Sequence, residues 1–342
     1  MATQEKVASH RDNFLAERVS SFGGSEAGSC FNIYANKDEK IFKSLFEVIE
    51  SKKRDYVPME PNLAMQIGTA LESVVIGEYE KQTGNTVLQA EDMFKCKQYP
   101  HSHANVDGLI VSTIDGILTV TKVLEIKTTH ELWAKGEIPL GYELQVKHYM
   151  AILSHLAEVE IDGIVYPVKI NGGEIFSLCM SYGNTTQLDK IEFDSIEAKA
   201  LLNYEESCWQ RYLVDGEIPE FGGSDFDKNY ILDNFPLHDT EELTEYSDPE
   251  LTEKVSMYLK SGQKLTSLNK EVKELKTAQD LLKLQILAGV NGCTKSIVGT
   301  RIVTFSTGHR KTFAKDILFA EHPEYDSAEY YSNSEFTVMK IK

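Results

Sequence analysis

The chain has 342 residues, enough for one large domain or two of ordinary size, and no apolar run long enough to predict a transmembrane helix. A polar N-terminus and five scattered cysteines without a CxxC pair favour a cytoplasmic protein and disfavour a disulfide framework or a four-cysteine metal site. The formal net charge of −18 argues against nucleic-acid binding, unless basic side chains are gathered locally.

The first two thirds of the chain alternate between helical and strand patterns. In chain order, the patterns predict helices at 11–20, 38–53 and 62–83, strands at 86–89, 106–114 and 117–127, a helix at 139–156, strands at 161–170 and 174–181, and a helix at 192–214. This order predicts an α/β fold in which a central mixed sheet is flanked by helices.

The last third of the chain differs in composition. Residues 239–253 hold seven acidic residues and no lysine or arginine. We therefore predict an acidic linker at 226–253, between a domain of residues 1–225 and a C-terminal region of residues 254–342. The sequence pattern of that region predicts one long helix at 254–288 and a small strand-rich appendage. The apolar residues of the helix have coiled-coil-like spacing, but the repeat is short, so a packed arm or an antiparallel helical hairpin is expected.

The strand VLEIKTT, residues 123–129, places an acid and a base in apolar surroundings. Glu125 and Lys127 lie two residues apart, so both side chains point to one face. With Asp107 from the preceding strand, they would form a site where two carboxylates bind a divalent cation and the lysine orients or deprotonates a water that attacks a phosphodiester. The alternative is an exposed cross-strand ion pair, which contributes about 0.2–1 kcal/mol.

Whether these residues meet depends on the register of the hairpin. A two-residue turn at 115–116 would pair Asp107 with Leu124, on the face opposite to Glu125. A three-residue loop, or a β-bulge near Gly108, would shift the register by one residue and bring Asp107 to the face of Glu125. The site therefore predicts an irregular hairpin.

Three further features lie near this hairpin in the sequence. Glu72 borders the apolar stripe of its helix, where a carboxylate without a partner would be partly desolvated. Gln145 and Tyr149 lie four residues apart on one helix face. The segment FGGSEA offers backbone N–H groups and the hydroxyl of Ser25 to a phosphate. Their alternatives are a surface charge, a buried tyrosine contact and a plain turn with an N-cap.

The ordered motifs GGSEA, IGTALE, ANVDGLI, LEIKT and YELQVKHYMA resemble those of the YqaJ-like viral recombinase family, which are lambda-exonuclease-type members of the PD-(D/E)XK nuclease superfamily. The resemblance covers about residues 18–215. It implies a metal-dependent exonuclease that degrades one strand of linear double-stranded DNA from the 5′ end and leaves 3′ overhangs for a single-strand annealing protein in phage-type recombination. It also implies a ring-shaped trimer with a basic lumen, in the cytoplasm of a bacterial host. Candidate lumen residues are Lys43, Lys52, Lys53, Arg54, Lys95 and Lys97.

The resemblance assigns a metal site by position. Asp107 and Glu125 would bind Mg²⁺ or Mn²⁺, with the backbone carbonyl of Ile126 as a further ligand. Glu72 would support the metal, directly or through a water. Lys127 would position the nucleophilic water.

The resemblance also assigns supporting and DNA-binding residues. Gln145 would brace the lysine or the water, and Tyr149 would pack behind it. Ser25 would contact a backbone phosphate of the substrate. Arg18 would hold the terminal 5′-phosphate, with Arg11 as a rival for that role. Two other functions stay open: a structure- or sequence-specific endonuclease with the same core, and a non-catalytic DNA-end-binding protein.

Overall fold

The structure, a computed structural model, describes residues 18–31, 39–53, 62–90, 93–181, 185–236, 245–306 and 315–323. The chain falls into two compact units, residues 1–239 and residues 240–342. Among the described residues, no helix has the length and apolar character needed to span a membrane.

Helices and strands alternate in the first unit. The helices are α1 (Gly24–Cys30), α2 (Leu45–Lys53), α3 (Leu63–Thr83), α4 (Leu140–Leu153), α5 (Ser195–Trp209), which continues as a π-helical turn over Gln210–Val214, and α6 (Asp225–Asn234). The strands are β1 (Phe22–Gly23), β2 (Thr86–Leu88), β3 (Phe94–Cys96), β4 (Tyr99–Ala104), β5 (Gly108–Ile114), β6 (Ile117–Thr129), β7 (Glu158–Ile161), β8 (Ile164–Cys179) and β9 (Thr185–Glu192).

The main sheet is mixed. Its strands follow the order β2-β5-β6-β8-β7, and β9 pairs with the second half of β8. The neighbours β6 and β8 run parallel, whereas the other pairs of this sheet are antiparallel. A smaller sheet has the order β1-β4-β3. The prediction of an α/β fold with a mixed sheet flanked by helices is confirmed.

Helices cover both faces of the main sheet, and the side-chain alternation of β6 determines what each helix contacts. Leu124 and Ile126 point to one face, where they pack with Val75 and Ile76 of α3. Val123 points to the other face, where it packs in the cluster that contains Val146 of α4. Since side chains alternate along a strand, Glu125 and Lys127 share the face of Val123 and point towards α4.

Several predicted boundaries differ from the structure. Most of the helix predicted at 11–20 lies outside the described residues, and the helix predicted from residue 38 begins at Leu45. The strands predicted at 161–170 and 174–181 are the single strand β8, because Gly173 allows a close approach and not a turn. A Cβ at Gly173 would lie 2.3 Å from the side chain of Val146. The strands β3, β4, β7 and β9 were not fully predicted: β3 and β7 have only three and four residues, and β4 and β9 are rich in polar residues.

The second unit contains one long helix. It comprises α7 (Pro249–Gly289), the hairpin of β10 (Lys295–Val298) and β11 (Arg301–Thr304), and α8 (Lys315–Glu321). The predicted long helix and strand-bearing appendage are therefore present. In the described part of this unit, no second helix is long enough to form the expected helical hairpin with α7. The segment predicted as an acidic linker overlaps α6, whose Tyr230 contacts Phe46 of α2 at 4.7 Å between ring centroids.

Candidate active site

A β-bulge sets the register of the hairpin. The turn has two residues, Asp115 and Gly116, with φ values of 51° and 81°, so the predicted three-residue loop is wrong. Thr121 is an extra residue in β6. Val111 of β5 pairs with Val120, whereas Ile110 pairs with Lys122, so Thr121 has no partner residue on β5. The hydroxyl of Thr121 donates to the backbone oxygen of Ile110 at 3.3 Å.

The bulge brings the two predicted carboxylates to neighbouring positions. Beyond it, Gly108 pairs with Leu124, so Asp107 comes opposite Glu125. The Oδ2 atom of Asp107 accepts a hydrogen bond of 2.7 Å from the backbone N–H of Ile126. The predicted β-bulge, which shifts the register by one residue, is therefore present. It lies at Thr121 of β6 and not at Gly108 of β5.

Glu125 and Lys127 belong to one buried network with α4. The Nζ atom of Lys127 donates to Glu125 Oε1 at 2.6 Å and to Gln145 Oε1 at 2.9 Å. The amide nitrogen of Gln145 donates to Glu125 Oε1 at 2.8 Å and to the hydroxyl oxygen of Tyr149 at 2.9 Å. Glu125 is only 3% exposed, so the pair is not the exposed surface ion pair that the sequence left open.

The charges of this network are unbalanced. Burial raises the pKa of Asp107, despite its hydrogen bond from Ile126. Burial and the charge of Asp107 raise the pKa of Glu125 to about 8, although Lys127 opposes this shift. Burial and the charge of Asp107 raise the pKa of Glu72 to about 7. Burial lowers the pKa of Lys127, but the charge and hydrogen bond of Glu125 outweigh it and raise that pKa. One ammonium therefore faces three carboxyl groups, of which Glu125 and Glu72 retain protons near neutral pH.

A cation suits the oxygen atoms that remain. Glu125 Oε2 is buried and has no hydrogen-bond partner among the described residues. No set of three or more His, Cys, Asp or Glu side chains in the described ranges forms a complete metal centre. Mg²⁺ is typically bound by one or two carboxylates and keeps several waters. Asp107 and Glu125, two hard oxygen donors of which one has an orphaned atom, therefore fit a hydrated Mg²⁺ or Mn²⁺ and not a closed zinc centre.

The FGGSEA segment packs against the buried network. A Cβ at Gly24 would lie 2.4 Å from the ring of Tyr149, so the backbone of α1 contacts this ring directly. Ser25 follows and is exposed. Arg18 is also exposed, and its backbone oxygen accepts a hydrogen bond of 2.7 Å from Lys52. Neither Ser25 nor Arg18 is hydrogen-bonded to the network of Glu125 in the described structure.

One predicted lumen residue has another role. Lys52 donates to Glu26 Oε2 at 2.7 Å, and its side chain is 4% exposed. The same carboxylate oxygen accepts from the N–H of Gly23, the N-cap residue of α1, at 3.0 Å. Lys52 therefore stabilises the FGGSEA segment from behind and is not available to line a lumen. Arg54, another predicted lumen residue, lies outside the described residues.

Two residues near Lys127 were missed from the sequence. The Nζ atom of Lys127 lies 4.6 Å from the ring centroid of Tyr142, within the range of a cation–π contact. Tyr142 precedes Gln145 by three residues, so helical spacing alone could have placed both on one face. Ser177 of β8 is in register with Lys127 and is fully buried, and its hydroxyl has no partner among the described residues. No sequence signal distinguishes it from an ordinary strand serine.

Comparisons with known proteins find similar sequences over the region that holds the candidate site. Residues 13–157 match the family model of the YqaJ-like viral recombinase domain. The chain is 25% identical over 304 residues to the uncharacterized protein YqaJ of Bacillus subtilis strain 168, and the alignment covers 86% of each protein. The matched family region contains the candidate site residues from Arg18 to Tyr149, whereas Arg11 lies before it.

Similar solved structures include two exonucleases. One is the alkaline exonuclease LHK-Exo of Laribacter hongkongensis, which is 17% identical with a TM-score of 0.43, over 60% of this chain and 93% of that chain. Another is a phage related exonuclease of Haemophilus somnus 129PT, which is 12% identical with a TM-score of 0.37, over 57% of this chain and 95% of that chain.

Proposed function

We propose that this protein is a metal-dependent deoxyribonuclease that degrades linear double-stranded DNA from its ends, since residues 13–157 match the family model of the YqaJ-like viral recombinase domain. The observation that carries the proposal is the bulge at Thr121. It brings Asp107 opposite Glu125, whose buried Oε2 atom has no hydrogen-bond partner among the described residues. A structural ion pair would satisfy both carboxylate oxygens, whereas a cation site needs one of them to be available.

Four groups would hold the metal. Asp107 and Glu125 would ligate it, together with the backbone carbonyl of Ile126, and Glu72 would act directly or through a water. When bound, Mg²⁺ or Mn²⁺ would lower the pKa of a ligating water and offset charge on the attacked phosphate. The raised pKa values of Glu72 and Glu125 support this assignment, because a nearby cation would offset the burial and the charge of Asp107 that raise them.

Lys127 would orient the nucleophilic water. An ammonium group has three donors, and two of them are used by Glu125 and Gln145. The third, which makes no hydrogen bond to the described residues, would donate to a water or a phosphate oxygen beside the ring of Tyr142. The raised pKa of Lys127 supports a permanently charged side chain that orients the water and does not deprotonate it. Gln145 would fix the lysine by accepting its hydrogen bond while donating to Glu125 and Tyr149.

The substrate would approach along α1. Ser25 is exposed beside Gly24, whose backbone contacts the ring of Tyr149, so its hydroxyl could reach a backbone phosphate next to the network. We assign the terminal 5′-phosphate to Arg18, an exposed cation upstream of the same turn. Tyr149 would support this surface from behind, since it is only 4% exposed.

The finer parts of the proposal follow from the family resemblance. Degradation would run from 5′ to 3′, and the 3′ overhangs would be transferred to a single-strand annealing protein in the host cytoplasm. The enzyme would be a homo-oligomer, a trimeric ring around DNA. Residues 1–225 would form the exonuclease domain, residues 226–253 an acidic connection, and residues 254–342 an accessory region.

Digestion of matched DNA substrates tests the proposal. Linear duplex with 5′-phosphate ends should be degraded with Mg²⁺, 5′-hydroxyl ends more slowly, and covalently closed circles not at all. Lys127→Ala should abolish cleavage and keep DNA binding, whereas Lys169→Ala, at an exposed position of β8, should cut like the parent. Cleavage of closed circles would favour an endonuclease, and undiminished cleavage by Lys127→Ala would refute the mechanism.

A further inference from the structure

The ammonium of Lys52 joins two segments that the proposed function assigns to DNA phosphates. Its Nζ atom donates to the backbone oxygen of Arg18 and to Glu26 Oε2, at 2.7 Å in both cases. Arg18 and Val19 end a helical turn, so the carbonyl of Arg18 is one of those that no backbone N–H of its own helix satisfies. Lysine side chains near a helix C-terminus bind such carbonyls. Lys52 therefore fixes the backbone of Arg18, whose own side chain is exposed.

The other end of this link is the FGGSEA segment. Glu26 Oε2 also accepts from the N–H of Gly23 at 3.0 Å, and Ser25 lies between these two residues in the sequence. The ring of His103 packs against the same segment, because a Cβ at Gly23 would lie only 2.9 Å from its Nε2 atom. The segment therefore has little room to shift, and the position of Arg18 relative to Ser25 depends on Lys52.

Positive charge is concentrated at this turn, in a chain whose formal net charge is −18. Burial and nearby positive charge lower the pKa of His103 to about 2; the charges are those of His148, Lys52, Arg18 and Lys95. Lys95 of β3 pairs with His103 of β4, which pairs with Gly23 of β1. A terminal phosphate carries about 1.5 to 2 negative charges at pH 7, whereas each phosphodiester carries one. The cluster of cations therefore suits a DNA end that carries a terminal phosphate.

We infer that Lys52 is a positioning residue through which the protein discriminates DNA ends that carry a 5′-phosphate from ends that carry a 5′-hydroxyl. Lys52 does not touch the phosphate, since its side chain is only 4% exposed. It sets the guanidinium of Arg18 at a fixed place relative to the hydroxyl of Ser25, so that Arg18 meets the terminal phosphate of the strand that Ser25 binds. The inference rests on the proposed function, which assigns Arg18 and Ser25 to phosphates.

Binding of the full chain to matched DNA ends tests the inference. Fluorescence anisotropy would measure the affinity for two short blunt duplexes that differ only in a 5′-phosphate or a 5′-hydroxyl, with Ca²⁺ in place of Mg²⁺ to prevent cleavage. The parent should bind the phosphorylated duplex about tenfold more tightly, because this end gains a charge-assisted hydrogen bond. Lys52→Met should bring the two affinities to within about twofold of each other.

Lys122→Met is the matched control. Lys122 also donates to a buried carboxylate, that of Glu174, at 2.7 Å in another part of the same unit, so its loss should leave the ratio of the two affinities as in the parent. Because Lys52→Met leaves Glu26 without its cation, a double variant, Lys52→Met with Glu26→Gln, is measured as well. Glutamine can still accept from Gly23, but the carbonyl of Arg18 still lacks its donor, so this variant should also lose the ratio. A smaller folded fraction lowers both affinities alike and does not change their ratio.

Three results would each overturn the inference: equal binding of both ends by the parent, a parent-like ratio in Lys52→Met or the double variant, or loss of the ratio in Lys122→Met. Cleavage is measured separately. A parent that discriminates the ends through Lys52 but does not cut linear duplex would refute the proposed nuclease and retain the inference. A parent that cuts linear duplex and binds both ends equally would do the reverse.

Discussion

Binding of a divalent cation at pH 7 should release about 1.4 protons from the candidate active site. The pKa of Glu125 is raised to about 8 and that of Glu72 to about 7, by burial and the charge of Asp107 in both cases. The two carboxyl groups then hold about 0.9 and about 0.5 protons at pH 7, and about 0.1 together at pH 9. Because a carboxylate must be deprotonated to bind the cation, raising the pH from 6 to 9 should increase the affinity.

Calorimetric titration with Mn²⁺ measures this release. Titrations at one pH in buffers of different ionisation enthalpy give the number of protons that pass to the buffer for each cation bound. Glu72→Gln should lower the release by about 0.5 protons at pH 7. Glu78→Gln on the same helix should not, since hydrogen bonds from Gln82 and Lys81 lower the pKa of Glu78. A release below about 0.3 protons at pH 7, or an equal release at pH 9, would refute the charge imbalance described above.

Substitutions at Gly24 and Gln145 test the contacts that hold Tyr149 and Lys127 in the candidate active site. Gly24→Ala should lower the free energy of unfolding by about 1–3 kcal/mol, because its Cβ would overlap the ring of Tyr149, whereas Gly77→Ala, with no atom nearby, should raise it by about 1 kcal/mol. Urea unfolding measures both, and a Gly24→Ala protein as stable as the parent would contradict the packing. Gln145→Ala should slow single-turnover cleavage by about tenfold to hundredfold at unchanged DNA affinity, since Lys127 loses its fixed position. Unchanged turnover would show that Gln145 is not needed to hold the lysine.

The sequence predicted the shared face of Glu125 and Lys127, because alternation along a strand is fixed by geometry. It also narrowed the hairpin to a few alternatives. It could not choose among them, since the Asp-Gly turn does have two residues and the extra residue lies elsewhere. Thr121 is an ordinary strand residue, and nothing local marks it as a bulge. The residues of β6 on either side of Thr121 are held in place by pairing with β8 and by packing against α3 and α4.

Glycine gave an ambiguous signal in this chain. Gly172 and Gly173 lie between the predicted strands 161–170 and 174–181, but the strand continues through them and Gly173 makes room for Val146. At Gly24 the sequence suggested a phosphate-binding turn, and the structure adds a packing reason, the ring of Tyr149. Both contacts join segments far apart in the sequence, so a single sequence without its fold could not reveal them.

The most direct test of the proposed nuclease site is a crystal structure of the protein soaked with Mn²⁺. We expect an anomalous peak between Asp107 and Glu125, about 2.0–2.4 Å from Glu125 Oε2. We also expect Lys127 to stay hydrogen-bonded to Gln145 beside that peak. A structure in which Asp107 is turned away from Glu125, with no peak between them at a saturating concentration of Mn²⁺, would contradict the proposed site.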